Sequence, residues 1–79
     1  MRIVIGNLPD DVDEEEIRDA LSPFAPVDAI KLIKDSGAPA AIIEMTMTHE
    51  QGEALARRIQ GRLFQGQALR AWVPAMDWK

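Results

Sequence analysis

Nine bases, thirteen acids, two tryptophans and one histidine are the side chains with which this 79-residue chain can do chemistry, and their spacing suits holding a ligand better than transforming one. His49 stands without the partnered nucleophile or the metal-ligand interval that would make it an acid–base group or a ligand, and a solvated position at a helix start accounts for it. Cysteine is absent, so neither a disulfide framework nor a thiolate metal site can be drawn. No catalytic group, metal or cofactor is therefore expected. What remains is binding chemistry: Arg2, Lys31 and Arg70 can meet phosphate, while Trp72 and Trp78 offer flat apolar rings that suit hot spots as well as ordinary packing. Arg57, Arg58 and Arg62 form a second basic cluster, which reads as a solvated helix face.

The formal net charge of −4 argues against a general polyanion binder, but the acidity is local. Residues 10 to 19 hold seven acids and one base, a balance of −6, so the remainder carries six acids against eight bases, or +2. With 47% hydrophobic and 28% charged residues the composition is that of a globular domain, expected to span residues 1–79 with 75–79 as a short tail. No stretch approaches the roughly 18 apolar residues of a membrane span. A soluble protein in a reducing, cytoplasmic setting is expected.

The elements that must position these residues follow from periodicity. Arg2-Ile3-Val4-Ile5-Gly6 is β-branched and runs into Asn7-Leu8-Pro9-Asp10, a buried strand meeting a turn. Asp13 with Glu16 makes a capping box, acids crowd the first turn where the helix dipole favours them, and Ile17, Ala20, Leu21 and Phe24 recur at helical spacing. Val27 to Lys34 predicts a second strand with Ile30 and Leu32 on one face and Lys31 and Ile33 on the other. Asp35-Ser36-Gly37 predicts a hairpin turn, and a third strand begins at Pro39 and continues through Met45 or Met47. Thr48 with Gln51 caps a second helix carrying Gly52, Leu55, Ala56 and Ile59, and Gly61 ends it. Leu69, Ala71 and Val73 alternate with Arg70 and Trp72 as a final strand that Pro74 stops. The order βαββαβ predicts an α+β, ferredoxin-like fold: a four-stranded antiparallel sheet with both helices on one face and the other face open.

Over residues 2 to 74 the chain resembles an RNA recognition motif. Ile3-Val4-Ile5-Gly6-Asn7-Leu8-Pro9 is similar to the family's first-strand hexamer. Asp13-Glu14-Glu15-Glu16-Ile17 with Phe24 and Val27 follows its first-helix register, and Ile59 to Arg70 resembles its helix end, Gly-flanked turn and last strand. The resemblance implies a non-catalytic module that binds single-stranded RNA through the open sheet face. In the family, one residue of the first strand and two of the third present aromatic rings for base stacking. By register this sequence has Val4, Ala40 and Ile42 there, and the usual leading base of the third-strand octamer is Ala38. A stacked base is worth ~1–3 kcal/mol, so three absent platforms weaken binding by roughly two to four decades if the terms even partly add.

The open face then holds Arg2, Val4, Lys31, Ile33, Ala40, Ile42, Glu44, Arg70 and Trp72. The tail, with Met76 and Trp78, can fold back and cover this patch as a lid; for an uncovered patch two readings stand side by side. In one, Arg2, Lys31 and Arg70 hold the phosphates while Val4, Ala40, Ile42 and Trp72 give weak base contact. In the other, Val4, Ile33, Ile42, Trp72 and the tail's Trp78 form an apolar contact for a protein partner or for a second copy of the chain.

Overall fold

Alternation sends every second side chain of an extended segment to the same side, and in the computed structural model Arg2–Gly6 forms β1 with Ile3 and Ile5 in the core. The structure describes residues 1–34 and 37–74. The turn expected at Asp35 and Ser36, and the tail 75–79 with Met76 and Trp78, lie outside the described residues.

Strand β1 stops at Asn7, whose backbone is left-handed at φ 59°. Asparagine tolerates that region better than most side chains. Here its amide is also used: Asn7 Nδ2 donates to the Ala68 carbonyl at 2.7 Å, and Gln67 Nε2 donates back to the carbonyls of Asn7 and Leu8 at 3.1 and 3.3 Å. Helix α1 (Glu14–Leu21) begins at the predicted capping box. The Glu16 amide donates to Asp13 Oδ1 at 2.9 Å, and the Asp13 amide donates to Glu16 Oε1 at 3.2 Å. Ile17 and Leu21 are buried, whereas Ala20 is exposed and Phe24 lies past the helix end with the Arg58 guanidinium 5.5 Å from its ring centre.

Strands β2 (Val27–Ile33) and β3 (Ala40–Met45) follow, with a register shift between Val27 and Ala29. At that end Thr46 Oγ1 donates to Asp28 Oδ2 at 2.8 Å. Helix α2 (His49–Ile59) starts at Thr48, again with a complete capping box to Gln51. Gly52 is a poor helix former by ~1 kcal/mol relative to alanine, and packing explains it. A Cβ there would lie 2.7 Å from Sδ and Cε of Met1, whose side chain crosses the helix at this point.

The final part of the chain differs from the long strand expected over Leu69 to Val73. A small hairpin forms first, β4 (Leu63–Phe64) with β5 (Gln67–Ala68), turning at Gln65 and Gly66 with φ 52° and 84°. Positive φ at both central residues matches the twist of paired strands. The hairpin is tied off when the Leu69 amide donates to the Arg62 carbonyl and the Gly61 amide to the Leu69 carbonyl, each at 2.8 Å. With Leu69 occupied in this way, the last strand of the main sheet, β6, is only Arg70–Trp72.

The main sheet has the order β2-β3-β1-β6, and every pair is antiparallel. Ile3, Ile5, Ala41, Ile43, Met45 and Ala71 on one side pack with Ile17 and Leu21 of α1 and Leu55, Ala56 and Ile59 of α2. Both helices thus cover one face, which is the predicted ferredoxin-like α+β arrangement.

Candidate functional site

Three cross-strand rows compose the opposite face. Across one end run Ala29, Glu44 and Arg2; across the middle Lys31, Ile42, Val4 and Trp72; near the other end Ile33 pairs with Ala40, and Gly6 with Arg70. The structure therefore brings Arg2, Val4, Lys31, Ile33, Ala40, Ile42, Arg70 and Trp72 onto one surface, because a period of two in four paired strands leaves no other arrangement. Trp78 lies outside the described residues.

Their exposure differs in ways that matter for ligand chemistry. Val4 sits at the centre yet is only 9% exposed, so it is floor rather than contact surface. Ile33, Ala40 and Ile42 are half-buried. Trp72 is 47% exposed. Its ring leans diagonally from β6 over Gly6, with Cζ3 and Cη2 about 3.5 Å from where a Gly6 Cβ would stand, 3.5 and 3.6 Å respectively. The absence of a side chain at Gly6 leaves room for the far end of the indole over β1.

The three cations are not equivalent. Arg2 Nε lies 3.7 Å from Glu44 Oε1, with the two side chains 27% and 48% exposed, so part of its charge is answered within the protein. Lys31 and Arg70 are exposed and meet no acidic side chain among the described residues. They flank the apolar row from opposite edges of the sheet, and the face as a whole is positive. Of the acidic run of residues 10–19, Glu14, Glu15, Glu16 and Asp19 belong to α1, on the helix side, and Asp10, Asp11 and Asp13 to the loop after β1.

Two residues outside the proposed contact set acquire a place from this geometry. Glu44 stands beside Lys31 and Arg2 at the rim of a shallow depression lined also by Ala29, Ile30 and Ile42. Gly6 is the seat of the Trp72 ring. Period two already put Glu44 on this face, but the seat depends on a side-chain conformation that brings Trp72 of β6 over Gly6 of the adjacent β1, 66 positions away in the chain. Among the described residues no group of three or more histidine or acidic side chains could hold a metal ion.

Comparison with known proteins places this geometry. The profile of the RNA recognition motif matches residues 3–70. No curated protein matches the sequence. Among solved structures, the Rna15 domain with bound GU RNA is 25% identical over 95% of this chain and 83% of that one, with a TM-score of 0.78. The third such domain of Pes4 is 23% identical, covering 99% and 94% of the two chains with a TM-score of 0.81. The RNA binding protein PG1 is likewise 23% identical, with 100% and 99% covered and a TM-score of 0.81.

Proposed function

Because this chain belongs to the RNA recognition motif family, we propose that it is a non-catalytic module whose uncovered sheet face binds single-stranded RNA weakly. The observation that carries the reading is the half-exposed Trp72 ring at the β6 edge of that face, its far end over Gly6, with Arg70 on the same strand, Lys31 at the opposite end of its row, and neither cation meeting an acidic side chain among the described residues. One base stacks on the indole, while Lys31 and Arg70 take phosphates on either side of the apolar row. Val4, Ala40 and Ile42 supply a smooth floor with no ring to stack on, so affinity is modest and sequence discrimination by stacking is slight. The Rna15 structure, solved with GU bound, supports RNA as the ligand class. As a cytoplasmic binding module it needs no cofactor.

Titration of fluorescently labelled octanucleotides by anisotropy at several salt concentrations tests this. Counterion release predicts a linear fall of log affinity with log salt. Lys31→Ala and Arg70→Ala should each weaken binding across sequences and lower that slope by about one. The competing reading, an apolar contact with a protein or a second copy, predicts association that is insensitive to salt and is abolished by Ile42→Glu. Light scattering that finds a dimer, together with no RNA binding at low salt, would replace the first reading by the second.

A further inference from the structure

We infer that the depression bounded by Arg2, Ala29, Lys31, Ile42 and Glu44 receives one guanine base, read along its hydrogen-bonding edge by the Glu44 carboxylate. The inference rests on the reading of the sheet face as an RNA surface and adds the base that this surface prefers.

A carboxylate on a face that meets a polyanion repels phosphate, and the loose contact with Arg2 at 3.7 Å occupies only part of it. Glu44 is exposed enough to reach a ligand, and its pairing with Arg2 at 3.7 Å fixes it without saturating it. An ionised carboxylate has about four lone-pair sites, of which one ion pair leaves several open. The depression measures about 280 Å³, just below the roughly 300–1,000 Å³ of clefts that take drug-sized molecules, which suits a single flat ring system. Its floor is the half-buried Ile42, and Ala29 at its outer edge is small enough to leave the entrance clear.

The polar groups on its rim select among the bases. Guanine alone presents two adjacent N–H donors on one edge, N1–H and the N2 amino group, which two carboxylate oxygens accept together. Beside them lies O6, an acceptor that one of the three Lys31 ammonium donors meets while another stays on the phosphate. Lys31 is opposite Ile42, and Glu44 is two residues along from Ile42 on the same strand. That makes Lys31 and Glu44 diagonal neighbours, about 7–8 Å apart at the backbone, with space for a base edge between their polar ends. Uracil would turn carbonyl oxygens toward the carboxylate, and adenine and cytosine would each set a ring acceptor beside their amino group. Because the carboxylate remains half in water, selectivity should be about tenfold, well short of the 10⁴–10⁵ that an enclosed polar site achieves.

The test compares octauridylate with octamers carrying one central guanine, adenine or cytosine, by anisotropy at low salt. Guanine should bind about tenfold tighter than the rest. Glu44→Gln should erase that gap, while octauridylate binding rises because a negative charge has left the phosphate path. Amide chemical shifts with guanosine monophosphate should move at Ala29, Lys31 and Glu44, and adenosine monophosphate should leave them nearly still. Equal affinity for all four octamers would overturn the guanine assignment and leave RNA binding intact. Failure of every octamer to bind would remove both.

Discussion

Trp72 is the side chain on which most of the proposed affinity rests, and its position follows from what it lies against. The Trp72 ring rests over Gly6 with no hydrogen-bond partner among the described residues, so its position depends on there being no side chain beneath it. Trp72→Ala should lower RNA affinity about thirtyfold, the middle of the range for loss of one stacked base, and Trp72→Phe should recover most of it. Anisotropy with labelled octauridylate measures both. Asn7 has a different kind of importance. It combines a left-handed backbone with a side-chain bond to Ala68, and so joins the first loop to the β4–β5 hairpin. Asn7→Ala loses both, and should cost about 1–3 kcal/mol in urea denaturation. Asn7→Gly keeps the backbone and should cost less.

At the scale of elements, two attachments decide whether the face is presented intact. Strand β6 carries Arg70 and Trp72 yet is only three residues long and lies at the edge of the sheet. On its outer side the Ala71 amide donates to Gln60 Oε1 at 2.9 Å, from the end of α2. Gln60→Ala leaves that partly buried donor unanswered, and should destabilise the protein by about 1–3 kcal/mol. Because the strand that holds the indole would loosen, RNA affinity should fall as well, which distinguishes this variant from a purely structural one by comparison at matched folded fraction. The second attachment is the crossing of Met1 over Gly52 in α2. A large side chain there must push aside the flexible end of Met1, so Gly52→Leu should cost about 1 kcal/mol by disturbed Met1 packing, partly offset by leucine's better helix propensity. Urea melts read the result directly.

For the molecule as a whole, charge is divided between layers. The net charge of −4 would keep an evenly charged protein away from RNA. Here four of the seven acids between residues 10 and 19 lie in α1, where three of them also favour the helix dipole, while Lys31 and Arg70 stand on the opposite side of the sheet. This arrangement orients an approaching polyanion toward the open face. Neutralising Glu14 and Glu15 to glutamine should therefore raise affinity less than threefold and mainly through the association rate, because charges on the far side act only through a field that 0.15 M salt screens within about 8 Å. Stopped-flow mixing at two salt concentrations would separate the rate from the affinity.

Much of this was legible in the chain itself, for a local reason. Alternation of period two assigned Ile3, Ile5, Ile43 and Ala71 to the core and Val4, Ile42 and Trp72 to the other face, and the capping residues Asp13 and Thr48 marked both helix starts. Each of these signals lies within a few residues of its consequence. The β4–β5 hairpin, the shortening of the last strand, the covering of Val4, the pairing of Arg2 with Glu44 and the seat of Trp72 on Gly6 needed the folded chain. They depend on groups far apart in sequence meeting across strands, and on competition for the same backbone groups at Leu69. Periodicity decides which way a side chain points, whereas only packing decides how far it is covered, what charge stands beside it, and hence what it can bind.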